Sequence, residues 1–469
     1  MWKGPGARPA REPASRLSSR VVVRRIGLLI VLLVVVGQQP RSDVRFGAVE
    51  AYDAPQAASQ LGLGWERIRF HWGWVQPNGP DEWEASEFTD EDLAGELAAG
   101  REVVALLIGI PDWARDAETR LPSGLYLSHD DPQNTWAAFV RAAVGRYAGQ
   151  IDHWIIWNEP DVWDANHRAH TWPGTVADFA RLVRVAYLSA HQANPDAVLH
   201  LPAMAHWWDV EYGHELYLRR LLRALADDPE ADAHGFYFDV ATAHFYFNPV
   251  QVFELIELYR GILAEFGMDD KPLWLVETNA PPSQDPAWPV EIPSKLVSLR
   301  EQAAYLPQVL ALALAAGAER ASIYKLTDIE TDLVANPEPF GLLRLDGSAR
   351  PGFETTAVAL GHLRGASEVR WVDRHAVARV VWRQGENRVT LVWSRLPAWL
   401  TARVPAQTER ATLVDAFGRA RPFSPQDGYY VVSLPAAECQ ETVGDYCMIG
   451  GLPMYLIEET ESDEVGPLG

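Results

Sequence analysis

After Pro40 the chain repeats one rhythm eight times, with short apolar runs rich in β-branched or aromatic residues alternating with longer amphipathic stretches. The short runs are 44–49, 66–70, 102–108, 153–157, 197–201, 238–244, 273–277 and 321–325. Between most of them, apolar residues recur at every third and fourth position, for instance over 135–147, 176–192, 252–266 and 298–316. Runs bounded by turn residues read as buried strands and the three-four spacing reads as helices. A chain that alternates the two builds a parallel sheet, because each helix is the crossover that returns the chain to the same end. Eight such units predict a (β/α)8 TIM barrel over 44–364.

From about Ser367 the rhythm changes. Strand-like runs at 376–382, 388–393, 412–417, 429–434 and 453–457 are separated by turn chemistry such as Gln384 to Asn387 and Gly418, with no long helical pattern. The expectation is a small antiparallel β-sandwich over 367–458. Residues 459–469 carry Glu459, Glu461, Asp463 and Glu464 and read as an acidic tail. At the other end, Lys3 and six arginines up to Arg25 precede the apolar run Ile26 to Val36. A basic flank before a short apolar segment predicts an export signal over 1–40, hence an extracellular or cell-surface protein. Arg24 and Arg25 also fit a twin-arginine signal, and Val21 to Val23 lengthen the run toward a retained membrane anchor. In an oxidising compartment the only two cysteines, Cys439 and Cys447, are expected to pair.

Composition narrows the partners. With 41 Lys and Arg against 63 Asp and Glu, the net charge of −22 lacks the cationic footprint of nucleic-acid binding, and a neutral substrate is expected. The 19 Trp and 15 Tyr suit stacking on sugar faces or, equally, filling a large core. Phosphate-loop, zinc-helix, dinucleotide and nucleophile-elbow motifs are missing, so neither metal nor organic cofactor is implied.

The run Trp154 to Trp157 ends on Asn158, Glu159 and Pro160. A buried parallel strand that stops on a carboxylate aims it out of the strand's carboxyl end, where barrel chemistry sits. Glu277 closes the run Leu273 to Val276 in the same way. Two such glutamates share one mouth of the barrel, and a carboxylate pair is what glycosidic bond cleavage needs. With Asn158-Glu159-Pro160 on strand four and Glu277 on strand seven, the chain resembles clan A of the retaining glycoside hydrolases over roughly Phe46 to Phe353, in the style of families 5 and 39. Gly341, Leu342, Leu343, Asp346 and Gly347 after strand eight belong to the same resemblance.

The resemblance implies that Glu159 is the acid/base, Glu277 the nucleophile and Asn158 the donor to a sugar 2-hydroxyl. It further implies that Arg69, His244 and Tyr246 hydrogen-bond the nucleophile, keeping it ionised. A Trp-rich setting is expected to favour protonated Glu159. Trp72, Trp157 and Tyr324 are further candidates for sugar contact, Tyr324 standing where clan members often carry Trp. His71, Trp72 and Trp74 either line the cleft or pack within their loop, and Trp113, Trp163, His206, Trp207 and Trp288 are possible walls. Two other readings use the same residues: a non-catalytic cell-surface glycan-binding protein, and a transglycosylase whose intermediate is shielded from water.

Overall fold

The structure, a computed structural model, describes residues 42–84, 87–167 and 169–459. The export or anchor segment and residues 460–469 of the acidic tail lie outside the described residues. Among the described residues no helix is long and apolar enough to cross a membrane.

Eight parallel strands form a barrel: β1 (Asp43–Val49), β2 (Leu63–His71), β3 (Glu102–Ile108), β4 (His153–Ile156), β5 (Val198–His200), β6 (Ala241–His244), β7 (Leu273–Thr278) and β8 (Arg320–Ile323). Their order is β5-β4-β3-β2-β1-β8-β7-β6, and the ring closes through parallel bridges His200–Val240 and Met204–Ala243. The expected (β/α)8 barrel is therefore present. Strands such as Glu-Val-Val-Ala-Leu-Leu-Ile in β3 are buried on both faces, as a parallel strand covered by helices requires.

Alternation along β2 sets the layers of the lumen. Trp65 packs with Val104, Leu106, Ile155, Trp274 and Val276 inside the barrel, while Ile68 and Phe70 face the surrounding helices. Trp65 and Trp274 meet at 5.4 Å between ring centroids and plug the floor. Arg67 and then Arg69 follow Trp65 on the inner face at a period of two, climbing toward the mouth.

The second sheet follows in the carboxyl-terminal part. Its strands are β9 (Ala366–Arg374), β10 (Val377–Gln384), β11 (Asn387–Ser394), β12 (Leu400–Pro405), β13 (Ala411–Asp415), β14 (Ala420–Phe423), β15 (Tyr429–Leu434), β16 (Thr442–Val443), β17 (Tyr446–Cys447) and β18 (Met454–Glu459). Six of them pair in the order β14-β13-β18-β11-β10-β9, and β12 with β15 forms a short second layer. Val404, Val432 and Leu434 pack from that layer onto Val392, Leu413 and Leu456 of the large sheet. The large sheet leans on the barrel: the helix Leu299–Ala315 is buried along most of its length, Gln308 donates to the Gly451 carbonyl at 2.9 Å, and Phe253 meets Trp371 edge-on at 4.8 Å. This contact is on the helix side of the barrel, so the sheet buttresses it.

Cys439 and Cys447 are bonded, closing a loop of eight positions that holds the β16–β17 hairpin. Closing a loop of that size is worth about 2–3 kcal/mol of unfolded-chain entropy. Reduction is therefore expected to open residues 438–450 to limited proteolysis while the barrel stays resistant, as mass analysis of the fragments with and without reductant will report.

Candidate active site

Two backbone irregularities bring the carboxylates together. In β7, Ala243 faces Leu275 but His244 faces Glu277, and the β8 register slips at the same place, so β7 carries one extra residue. Strict alternation after Trp274 and Val276 would turn Glu277 toward the helices. The bulge turns it into the lumen instead. At the end of β4 the chain takes left-handed conformations at Trp157 (φ 75°) and Glu159 (φ 44°), which non-glycine residues seldom adopt. Such backbone concentrates at functional sites, where surrounding contacts hold it. The Trp157 ring is thereby turned outward, and Glu159 projects over the lumen.

His244, at the end of β6, stands between the two carboxylates. Its Nδ1 is 2.8 Å from Glu159 Oε1, and its Nε2 is 3.4 Å from Glu277 Oε1. One oxygen of each glutamate lies within 4.8 Å of the other. Glu277 Oε1 also pairs with the Arg67 guanidinium, and Tyr246 donates its hydroxyl to Oε2. Burial pushes the Glu277 carboxyl up, but Arg67, His244 and the Tyr246 hydrogen bond outweigh it and leave the pKa below the ordinary value. Burial and the Glu277 charge push the Tyr246 phenol well up, so it remains a donor. Glu159, His244 and Glu277 have the spacing of metal ligands. Arg67 already supplies the counter-charge, however, and a metal would be set against that cation.

With this geometry established, the relatives can be compared. No family model matches the sequence, and no curated protein matches it. Solved structures do. A family 39 glycoside hydrolase from the gut symbiont Bacteroides cellulosilyticus WH2 superposes with a TM-score of 0.65 at 17% identity, covering 88% of this chain and 80% of that one. A family 39 β-xylosidase from Caulobacter crescentus gives 0.56 at 16% identity, covering 90% and 96%. A family 30 endoxylanase from Clostridium papyrosolvens C71 gives 0.56 at 13% identity, covering 90% and 98%. The chain shares the (β/α)8 fold of these glycoside hydrolases.

Against that fold, the expected residues sort cleanly. Glu159, Glu277, His244 and Tyr246 converge. Asn158 is half-buried beside them, and its carbonyl accepts from Thr171 Oγ1 at 3.2 Å. Tyr324 packs edge-on against Tyr246 at 6.3 Å and Phe340 at 5.1 Å, at the rim of the same centre.

Three expectations are corrected. Arg69 does not reach Glu277; Arg67, two residues deeper on the same face, does, while Arg69 pairs with Glu50 at 3.2 Å and Glu87 at 3.3 Å. Trp72 is fully buried, stacked on Phe139 at 4.8 Å with its Nε1 bonded to Gln76, because the helical turn Trp72–Val75 directs it to the outer core. Trp157 is buried against Trp136 and Trp172, since its left-handed backbone turns the ring away. The Trp-rich cradle expected for Glu159 is accordingly replaced by His244. Of the further aromatic positions, Trp74 is exposed at the mouth, Trp163 and Trp207 are exposed, His206 is buried, Trp113 donates to the Gln76 carbonyl, and Trp288 to that of Pro337.

Sequence reasoning missed Arg67 and a buried charge cluster next to it. Lys325 Nζ lies 2.5 Å from Glu50 Oε2 and 2.7 Å from Asp332 Oδ2, and Glu50 in turn holds Arg69. The available signal for Arg67 was the period-two pair Arg67 and Arg69 on a barrel strand. Both face inward, and only depth distinguishes them.

Proposed function

We propose that this chain is a retaining glycoside hydrolase that cleaves β-linked O-glycosidic bonds of poly- or oligosaccharides by double displacement. The observation that carries this reading is the reach between the carboxylates. An oxygen of Glu159 within 4.8 Å of one of Glu277 fits the close pair of retaining enzymes, about 5–5.5 Å, rather than the roughly 6.5–9.5 Å that leaves room for an inverting water. Glu277, ionised by Arg67 and oriented by Tyr246, attacks the anomeric carbon as Glu159 gives its proton to the departing oxygen. Glu159 then takes a proton from the water that displaces Glu277, restoring both groups. His244 fixes the rotamers of the two glutamates. The reading includes export, for which the basic and apolar amino-terminal pattern and the Cys439–Cys447 bond speak.

Glu159→Ala tests the division of labour. Aryl glycosides with acidic phenols leave without a proton, whereas natural sugar alcohols need one. The variant is expected to lose about 10²–10⁴-fold in kcat/KM on poor leaving groups and far less on dinitrophenyl glycosides. An equal loss on both classes overturns the acid/base role, and binding of glycans with no phenol released from any member of a β-glycoside panel would leave a glycan-binding protein.

A further inference from the structure

Beside the carboxylate pair, a cavity of about 610 Å³ opens between the ends of β2 and β3 and the loop after β4. It abuts the reacting centre on two sides. Arg69 is the next inward residue after Arg67, which holds Glu277, and Thr171 in the wall bonds the carbonyl of Asn158. The ionisable groups of the lining are Arg69, Arg115, Arg120, His71 and His170, and the rest is uncharged. A wall with three guanidinium groups and no carboxylate runs against the composition of a chain with 63 acids and 41 bases.

These cations are incompletely satisfied. Arg120 is exposed, and its guanidinium has no ion pair or hydrogen bond among the described residues. Arg115 donates one guanidinium nitrogen to the Ile110 carbonyl and pairs through another, at 3.4 Å, with Asp112, whose side chain is 98% exposed, so solvent screens that pair. Arg69 is shared between Glu50 and Glu87, yet its Nε is buried without a partner, as is Nδ1 of His71. Burial and Arg69 push the His71 pKa down to about 4, so this ring is a neutral wall and the positive field comes from the arginines. The ring is held there by Gly109, whose φ of 88° and absent Cβ leave room that any other side chain would fill, 2.5 Å from the imidazole. Trp74 stacks on His71 at 4.5 Å, has the Arg69 guanidinium 5.6 Å from its ring centre, and stays exposed enough for a sugar to pack beside it.

We propose that this cavity is a subsite for an anionic saccharide unit, a uronate carboxylate or a sulfate ester held by Arg115, Arg120 and Arg69 while its ring packs beside Trp74, which makes the substrate an acidic glycan. This rests on the hydrolase reading and departs from the neutral substrate expected of the net charge, because recognition follows the local field and not the molecular sum. Guanidinium groups suit the task, presenting forked donors that match a pair of oxygens on a carboxylate or a sulfate.

Affinity electrophoresis of the full-length Glu277→Gln chain tests it without turnover. The matrices are glucuronoxylan, hyaluronan and chondroitin 4-sulfate, each beside its carboxyl-reduced form, with desulfated chondroitin separating sulfate from carboxylate. At least one anionic polymer is expected to bind about tenfold or more tightly than its neutral match, and more weakly as salt rises. Adding Arg115→Gln and Arg120→Gln should remove most of that preference and leave retardation by the neutral polymers within about twofold. Equal binding of charged and neutral members, no binding of either, or a preference that survives both substitutions overturns the subsite. Phenol release from neutral aryl glycosides by the unsubstituted chain would still uphold the hydrolase reading in those cases.

Discussion

Glu277→Gln is expected to lower kcat by on the order of 10⁴-fold or more, the scale on which covalent mechanisms suffer when their nucleophile is removed. The amide is nearly isosteric, so the loss is chemical. Its oxygen can still accept from Arg67, and its NH₂ can face the Tyr246 oxygen, which leaves the bulge in β7 and the position of His244 intact. An amide oxygen is a poor nucleophile toward an anomeric carbon, and no covalent intermediate forms at a useful rate. The decisive measurement is trapping with an activated 2-fluoro glycoside followed by peptide mass analysis. The unsubstituted chain should gain one sugar on the peptide containing Glu277, and the variant none. A label on Glu159, or turnover persisting near the original rate, would reverse or remove the assigned roles.

Much of this centre is legible in the sequence because strand ends report position directly. Glu159 and Glu277 each follow an apolar run that fits only a buried parallel strand, and two such strands in one barrel open at one mouth. What alternation cannot supply is the bulge at Val276 and Glu277 or the left-handed backbone at Trp157, both of which depend on neighbouring strands. Strict period two would send Glu277 outward and bring Trp157 inward, the reverse of what is found. Trp72 fails for a related reason, since the strand gives way at once to a helical turn and alternation stops being informative.

The second sheet was read in outline from its apolar runs. β9 escaped because its pattern is largely exposed, with Trp371 its main anchor against Phe253, and β12 escaped because it alternates with charged and small residues in a two-stranded layer. The Glu50–Lys325 pair joins residues 275 positions apart, and no local pattern signals such a contact.

Arg67→Met should be the most damaging change outside the carboxylates, for a reason that gives a specific pH signature. Arg67 and Glu277 are both buried, and removing one member of such a pair leaves a desolvated charge, a loss of about 3–5 kcal/mol. In the unsubstituted chain the Glu277 pKa is depressed on folding. This contribution to stability is complete above the ordinary carboxylate pKa and is lost as pH falls through the depressed value. Without Arg67, burial dominates and the folded pKa rises above the unfolded one. The sign then inverts, and stability is lost as pH rises through the new value. Thermal unfolding of Arg67→Met should therefore improve on mild acidification, where the parent does not, and the acidic limb of kcat/KM should move to higher pH because only ionised Glu277 attacks. Glu277→Gln placed on Arg67→Met removes the orphaned charge and should recover much of the lost stability without restoring turnover, a coupling that a double-mutant cycle reads directly. Additive losses, or an unfolding profile parallel to the parent's across pH, would mean that Arg67 serves packing and that another group keeps Glu277 ionised.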